Sequence, residues 1–301
     1  MTMVTTRDGT RLYCKELGHG RPVVLIHGWP LSSDSWDPIA LALAEAGFRA
    51  IAYDRRGFGR SDQPWHGYDY DTFSDDLADV MAFCGIDTDV ALVGFSMGGG
   101  EIARYMSRHN GKGVTQAALI SAVVPMLVRD DSNPEGVPEA TLMEMVQGMR
   151  EDRAHFFVQF FKLVFGVGFV SKPVSSELLD WAWSMAMQAG LHPTIAAAKA
   201  FGFTDFRGDL ASITVPTLIV HGTADKTVPI DATGRETARR LHDALLIEYT
   251  DEPHGVIATQ TAALSTDLIT FLTGGLDSVQ AGLRQAVVDA VTAQSISSSL
   301  V

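Results

Sequence analysis

The sequence predicts an α/β fold in which a mostly parallel β-sheet is covered by helices on both faces. Three observations predict it: strand-like and helix-like segments alternate along most of the 301 residues, several strand-like segments are apolar throughout, and only helical patterns occur from 126 to 205. With 46% hydrophobic residues, a chain of this length buries about three quarters of its unfolded surface, so one large domain or one domain with an insertion is expected.

The first half of the chain contains the clearest alternation. Strand-like segments are found at 10–17, 21–27, 48–54 and 89–94. Helical periodicity covers 35–47, behind the capping candidates Ser33 and Asp34, and returns at 70–85 and after Met97. Each of the last three strands is therefore followed by a helix, which is the repeating unit of a parallel sheet.

The second half has strand-like segments at 116–124, 215–222 and 244–249. Between the first two of these strands, helical patterns are found at 138–150, 151–166, 175–190 and 194–203. We interpret 126–205 as a helical cap inserted into a core domain formed by 1–125 and 206–275. Because ligand sites in open α/β sheets lie beyond the carboxyl ends of the strands, the cap is expected to cover the site.

A further segment, 276–301, follows the core. It predicts a C-terminal amphipathic helix with a Ser-rich, frayed tail, because apolar residues recur in it at helical spacing, namely Leu276, Val279, Leu283, Val287 and Val291. We expect this helix to dock on the body of the protein or on a neighbouring subunit, so a homo-oligomer is one expected assembly.

Composition and charge argue against several functional classes. The net charge of −13 opposes binding to nucleic acids and to anionic membrane surfaces. The longest apolar stretch, 156–170, is interrupted by Gln159 and Lys162 and is too short to cross a bilayer. The N-terminus lacks a signal-peptide pattern, and Cys14 and Cys84 lack metal-ligand spacing, so we expect a cytoplasmic protein with two buried thiols.

The motif GFSMG at 94–98 joins a buried strand directly to a helix, with Ser96 at the turn. Such a turn projects the serine hydroxyl above the sheet edge and directs the Met97 N–H, at the positive end of the helix, toward a developing oxyanion. Gly94 and Gly98 would be required because a side chain at either position would clash with the adjoining strand or helix. A helix-capping serine in a glycine-rich turn is the alternative, and a phosphate loop is disfavoured because the motif lacks its lysine.

Two later strands are each followed by a residue that could activate Ser96. Asp225 follows the strand at 215–222, and His254 follows the strand at 244–249. The order serine, aspartate, histidine is that of an α/β-hydrolase triad. His254 would take the Ser96 proton, and Asp225 would orient His254 and stabilise its imidazolium. A turn aspartate and a surface-loop histidine are the alternatives for these two residues.

Other acidic and histidine residues are weaker candidates for these roles. Asp251 and Glu252 are so close to His254 in the chain that they are awkwardly placed to orient its ring. His27 and His221 are expected to have structural roles near the site. The other histidines have no pair spacing suited to a metal, so no metal site is predicted at His19, His66, His109, His155, His192 or His242.

The segment HGWP at 27–30 ends the first apolar strand and is expected to supply a second oxyanion-hole donor, the Trp29 backbone N–H. The Trp29 side chain could instead wall the acyl pocket, and both roles stay open. In the cap, Phe160 and Trp181 belong to a stripe of aromatic and methionine side chains that could line an apolar substrate pocket. The simpler interpretation is that most of this stripe packs the cap against the core.

The chain resembles the cofactor-free bacterial haloperoxidases, also called perhydrolases, and the related aryl esterases of the α/β-hydrolase superfamily. The resemblance extends over about residues 4–274 and is carried by HGWPLSSDSWDP, YDRRGFGRSDQP, GFSMGGGEIARY, TDFRGDLASITVPTLIVHGTADKTVP and EPHG. It implies the α/β-hydrolase fold and Ser96 as the acylated nucleophile, with Asp225 and His254 as its partners. It also implies that Trp29 and Met97 occupy the oxyanion-hole positions.

The same resemblance implies the chemistry. It implies a serine hydrolase without a cofactor that cleaves small or aromatic carboxylic esters. Hydrogen peroxide can replace water, giving a peracid that oxidises halide, and Pro30 matches the residue that follows the tryptophan in many members with this activity. A carbon–carbon bond hydrolase or a lactonase would use the same triad, and a ligand-binding protein without turnover is a third possibility. A haloalkane dehalogenase or an epoxide hydrolase would need an aspartate in place of Ser96.

Overall fold

A computed structural model describes residues 2–298 of the chain, with side-chain environments for residues 2–286. In this part of the chain one sheet contains eight strands: β1 (Thr2–Thr5), β2 (Arg11–Gly18), β3 (Arg21–Ile26), β4 (Phe48–Tyr53), β5 (Val90–Phe95), β6 (Val114–Ile120), β7 (Thr217–Gly222) and β8 (Ala244–Tyr249). The strand order is β1-β2-β4-β3-β5-β6-β7-β8. β2 is antiparallel to both of its neighbours, and β3 to β8 run parallel, so the predicted mostly parallel sheet is confirmed.

Helices connect the strands and cover the sheet. They are α1 (Asp37–Glu45), α2 (Tyr70–Phe83), α3 (Met97–Arg108), α4 (Glu139–Val164), α5 (Ser176–Gln188), α6 (Leu191–Phe203), α7 (Arg207–Leu210), α8 (Gly234–Arg240), α9 (Val256–Thr259) and α10 (Thr261–Ser298). Between β6 and β7 the chain forms α4 to α7 and no strand of the sheet. α4 bends at Asp152, whose carboxylate accepts from the His155 N–H over 2.9 Å and so begins the second half of the helix.

The start of α1 differs from the prediction. A 3₁₀ turn at Ser33–Trp36 precedes the helix, and Ser32 caps this turn by accepting from the Asp34 N–H. Ser33 does not cap a helix because its hydroxyl and its N–H both donate to Asp54 Oδ1. The short edge strand β1, with Val4 as its one fully buried residue, was not predicted.

The location of the site follows from the buried, parallel strands of the sheet. All six residues of β5 and all six of β7 are buried, as expected for strands covered on both faces. Since β3, β5, β7 and β8 run in the same direction, their carboxyl ends meet at one edge of the sheet. The loops that follow these four strands therefore come together above that edge.

The C-terminal helix α10 is interrupted at Gly275, where φ is 71°. Beyond this break Val279 is 3% exposed and belongs to the hydrophobic core, whereas Leu283 is 38% exposed. The predicted apolar positions Val287 and Val291 lie outside the described side chains, and the end of the predicted Ser-rich tail, 299–301, lies outside the described residues. Within 2–298, no helix is both long enough and apolar enough to cross a membrane.

Candidate active site

Ser96 lies at the turn between β5 and α3, in a backbone conformation that L-residues rarely adopt, with φ 53° and ψ −115°. The turn is held by the Ser96 N–H, which donates to the Ile120 carbonyl oxygen over 2.8 Å. A Cβ on Gly94 would lie 2.6 Å from the Gly98 carbonyl, and a Cβ on Gly98 would lie 2.4 Å from the Ile26 carbonyl oxygen. Both glycines are thus required for the close approach of α3 to the sheet.

One hydrogen-bonded chain joins Ser96, His254 and Asp225. The Ser96 hydroxyl donates to His254 Nε2 over 2.9 Å, and His254 Nδ1 donates to Asp225 Oδ2 over 2.7 Å. All three side chains are buried. These partners assign the proton to Nδ1 and leave Nε2 free to accept, which is the tautomer that a general base needs.

Asp225 is held by groups other than His254 as well. Its Oδ1 accepts from the backbone N–H groups of Thr227 and Val228 at 2.8 Å each. His221 Nε2 lies 3.2 Å from Asp225 Oδ2 and 2.9 Å from the Val228 carbonyl oxygen. Burial opposes the charge on Asp225, but the two histidines and the hydrogen bonds outweigh it and hold the pKa of this carboxyl below its ordinary value.

The rival acidic residues are engaged elsewhere. Glu252 accepts from the Thr259 hydroxyl and from the Gln260 side chain, which ties the His254 loop to α9. Asp251 is exposed and has a positive φ of 60° at the turn after β8. Neither carboxylate is hydrogen-bonded to the His254 ring, which is bonded to Asp225 instead.

The HGWP loop after β3 packs directly on the nucleophile turn. A Cβ on Gly28 would lie 2.6 Å from the Phe95 ring and 3.1 Å from Ser96 Cβ. The indole of Trp29 is buried, and its Nε1 donates to the Thr194 carbonyl oxygen of α6 over 3.0 Å. Met97 is the first residue of α3, so its N–H has no acceptor within the helix and remains available to an oxyanion.

A cavity of about 260 Å³ opens onto Ser96 and His254. Its walls are mainly apolar and come from the HGWP loop, from 127–163, from α6 and from the Asp225 loop: Trp29, Leu127, Val137, Thr141, Leu142, Met145, Phe156, Gln159, Phe160, Leu163, Phe201, Lys226, Thr227 and Val228. The Trp29 side chain therefore walls the cavity and packs on Phe160, with ring centroids 5.1 Å apart.

The predicted pocket residues separate into two groups. Phe160 lines the cavity, as expected. Trp181 does not: it is 39% exposed, because α5 turns Ala182, Met185 and Ala186 inward instead. Pro30, which follows Trp29 and was a third candidate for the substrate pocket, is buried and is not among the residues that line the cavity.

Most of the remaining aromatic side chains in this stripe do not line the cavity and instead pack the cap against the core. Phe157, Phe161 and Phe165 are buried members of the hydrophobic core. Within the described range, no group of three or more His, Cys, Asp or Glu side chains is placed to hold a metal ion. The arrangement at Ser96 can perform nucleophilic acyl transfer, since it combines a nucleophile, a base and an orienting carboxylate.

The family model described as the alpha/beta hydrolase fold matches residues 21–259, which include Ser96, Asp225 and His254. The chain belongs to the α/β-hydrolase fold family. This α/β-hydrolase is 41% identical to a non-heme chloroperoxidase from Kitasatospora aureofaciens, over 90% of the chain and 99% of the relative. It is 38% identical to a bifunctional esterase/perhydrolase from Acinetobacter calcoaceticus, with the same coverage of both chains.

A solved structure agrees with this assignment. A bromoperoxidase from Bacillus anthracis matches the α/β-hydrolase with a TM-score of 0.87 and 40% identity, over 90% of this chain and 99% of the other. At this identity the likeness covers sequence as well as fold, so the predicted membership among the non-heme haloperoxidases and esterases of the superfamily is confirmed.

Sequence reasoning missed several residues that build the site of this hydrolase. Lys226 and Thr227 line the cavity directly beside Asp225, and Leu142 and Met145 line it from the first half of α4. The chain position of Lys226 and Thr227, just beyond the candidate aspartate, was a usable signal. For Leu142 and Met145 the helical pattern shows an apolar face but not whether it points to the core or to a cavity.

Proposed function

We propose that this protein is a serine hydrolase that cleaves small or aromatic carboxylic esters through an acyl-serine intermediate, with perhydrolysis as a side activity. The observation that carries the proposal is the hydrogen-bonded chain from Ser96 through His254 to Asp225, at the base of an apolar cavity. The esterase and haloperoxidase names of the relatives support the same chemistry.

In the first half of the reaction, Ser96 Oγ attacks the ester carbonyl carbon while its proton passes to His254 Nε2. The carbonyl π electrons move to oxygen, and the backbone N–H groups of Trp29 and Met97 bind the resulting oxyanion. Collapse of this intermediate breaks the bond to the leaving alcohol, which takes the proton from His254. Asp225 stabilises the imidazolium through its 2.7 Å hydrogen bond to His254 Nδ1.

In the second half, water gives a proton to His254 and attacks the acyl carbon, and Ser96 leaves with that proton. Hydrogen peroxide can take the place of water, because it too has an O–H bond and a nucleophilic oxygen. The product is then a peracid, and a peracid oxidises halide in solution. We infer no cofactor for this route, since Ser96 supplies the nucleophile, His254 transfers the protons and backbone N–H groups bind the oxyanion.

The cavity supports a small acyl group or a single aromatic ring as substrate. A volume of about 260 Å³ is below the usual range for drug-sized ligands, and the walls include the rings of Trp29, Phe160 and Phe201. Burial of apolar surface there supplies binding energy that does not discriminate strongly among small alcohols. The substrates we propose are therefore short-chain and aryl esters.

The test is hydrolysis of p-nitrophenyl acetate by the wild type and by Ser96→Ala, in parallel with peracetic acid formation from acetate and hydrogen peroxide. We expect the wild type to perform both reactions and the variant to lose both, because one acyl-serine serves each route. Activity that persists in Ser96→Ala would contradict the proposal. Absence of both activities in the wild type would shift the assignment to a lactone, a carbon–carbon substrate or a binding role.

A further inference from the structure

A buried ion pair connects the two backbone segments that would bind the oxyanion. Arg55 lies in the loop after β4, Glu101 lies on α3, and both side chains are 0% exposed. Arg55 Nε donates to Glu101 Oε2 over 2.8 Å, and the Tyr53 hydroxyl donates to the other carboxylate oxygen. The loop after β4 is thereby bonded to the helix that begins at Met97.

Arg55 also holds His27, which lies two positions before Trp29. The Arg55 Nη2 donates to the His27 carbonyl oxygen over 3.0 Å, and the Arg55 backbone N–H donates to His27 Nε2 over 3.0 Å. Because Nε2 accepts this bond, the ring proton is on Nδ1, which donates to the Gly28 carbonyl oxygen over 2.9 Å. The carbonyl and the ring of His27 are thus both fixed, immediately before the peptide whose N–H belongs to Trp29.

Small displacements of this segment matter because Gly28 is already in close contact with the nucleophile turn. The space for a Cβ on Gly28 is occupied by the Phe95 ring at 2.6 Å. An oxyanion donor acts at about 2.7–3.1 Å from the charged oxygen, so a shift of a few tenths of an ångström weakens the bond. Arg55 is bonded to this segment through His27, and neither Arg55 nor His27 lines the cavity.

The stability of the fold does not by itself account for this ion pair. Burial lowers the pKa of Arg55 to about 10 and raises that of Glu101 well above its ordinary value, so it opposes the charge on both partners. Arg55 remains protonated at neutral pH, and its Nε lies 2.8 Å from Glu101 Oε2. Apolar residues of similar volume are often as stable as a buried ion pair. The location of this pair between the two donor segments indicates another role.

We propose that Arg55 and Glu101 are positioning residues for the oxyanion hole, whose ion pair fixes the Trp29 N–H relative to the Met97 N–H. The inference rests on the proposed acyl-serine function, since it requires an oxyanion. Neither side chain touches substrate. Their loss should therefore weaken binding of the transition state and leave binding of the ester nearly unchanged.

The test compares Arg55→Lys with Arg56→Lys. Lysine keeps the positive charge of Arg55 but cannot bond Glu101 and the His27 carbonyl in the same fork. Arg56 is the matched control because it is next in the chain and 2% exposed, and it forms two 2.6 Å hydrogen bonds to Asp76 rather than to the HGWP segment. The readouts are kcat and KM for p-nitrophenyl acetate, the Kd of phenylboronic acid, which forms a tetrahedral adduct with an active serine, and Tm.

For Arg55→Lys we expect kcat to fall about 10–100-fold and boronate binding to weaken by a similar factor, with KM within about 2-fold of the wild type. Arg56→Lys should lower Tm about as much as Arg55→Lys does, but its kcat and its affinity for boronate should equal those of the wild type. Wild-type kcat and boronate binding in Arg55→Lys would overturn the proposal, and so would an equal loss in both variants.

Should Arg55→Lys not fold, the double variant Arg55→Met/Glu101→Leu replaces the pair by apolar side chains of similar volume. A folded double variant with reduced kcat and weak boronate binding supports the proposal, and one with wild-type values overturns it. Failure of both variants to fold would assign the pair to folding and also overturn it. A wild type that neither hydrolyses the ester nor binds boronate would instead overturn the proposed function.

Discussion

At the residue scale, the two carboxylate oxygens of Asp225 have different roles in the candidate site. One carboxylate oxygen accepts from His254, and the other accepts from the backbone N–H groups of Thr227 and Val228. The first bond selects the tautomer of His254, and the second pair fixes the loop after β7. An amide in place of the carboxylate would keep the second function and lose the first.

Asp225→Asn is accordingly expected to fold and to lose about 10⁴-fold in kcat for p-nitrophenyl acetate. The amide NH₂ would face His254 Nδ1, so the ring proton would move to Nε2, which could then not accept from Ser96. Asp251→Asn is the matched control, because this exposed aspartate lies on the His254 loop. Similar activity of the two variants in steady-state assays would show that Asp225 does not orient the base.

His27 is expected to make stability depend on pH. Burial, reinforced by the nearby Arg55 charge, lowers the pKa of His27 from 6.5 to about 3. Between these two values the unfolded chain binds a proton that the folded chain does not, so stability falls as pH falls from 6.5 toward 3, by up to about 1.4 kcal/mol per pH unit.

Urea unfolding of the wild type and of His27→Gln at pH 7, 6, 5 and 4 measures this contribution. Glutamine does not titrate, so the variant should take up about one proton fewer than the wild type when it unfolds in this pH range. Its free energy of unfolding should therefore change less steeply with pH. Identical pH slopes for the two proteins would mean that His27 binds its proton equally in the folded and unfolded states, which would contradict the lowered pKa.

At the scale of elements, helices α4 and α5 divide their side chains between cavity, core and solvent. The second half of α4 directs Phe160 into the cavity and Phe157 into the core. α5 directs Met185 inward and Trp181 outward. Both helices are apolar on more than one face, so their sequences alone do not tell which aromatic ring meets the substrate.

Phe160→Ala is expected to enlarge the cavity and shift acyl preference toward longer chains. The ratio of kcat/KM for p-nitrophenyl octanoate to that for the acetate should rise about 10-fold, because added methylenes find space next to Trp29. Trp181→Ala removes an equally aromatic side chain from the outer face of α5 and should leave the ratio within about 2-fold of the wild type. An unchanged ratio in Phe160→Ala would show that the acyl chain of the substrate does not extend toward Phe160.

Much of the fold and the order of the candidate site could be predicted because strand ends are visible in the sequence. Ser96, Asp225 and His254 each follow an apolar strand, and parallel strands bring such ends together. The Arg55–Glu101 pair could not be predicted, because charged residues in a loop and on a helix are usually solvated. Their burial depends on how α3 packs against the loop after β4.

At the scale of the whole molecule, the segment after Gly275 adds to the core instead of standing apart from it. Val279 is buried against the body of the same chain, and Leu276 is partly buried there. Docking on the body was one of the two expected locations for this helix. Docking on a neighbouring subunit stays a prediction.

A chain ending at Gly275 is expected to melt roughly 3–8 °C below the full chain, because it loses the burial of Val279, and to keep its kcat. A chain ending at Arg284 retains Val279 and Leu283 and should melt close to the full chain. Differential scanning calorimetry measures both, and light scattering of the same samples reports the oligomeric state. An unchanged Tm and particle size in the shorter chain would show that the segment docks on neither surface.

The hydrogen bond between Ser96 and His254 closes a loop of 158 positions in the chain. During synthesis the serine leaves the ribosome long before the histidine, so the nascent chain carries a hydroxyl with no base beside it. Ester hydrolysis begins only when β8 has joined the edge of the sheet and brought His254 with it. Activity that returns after dilution from urea therefore reports that β8 has paired with β7, because His254 reaches Ser96 only in that arrangement.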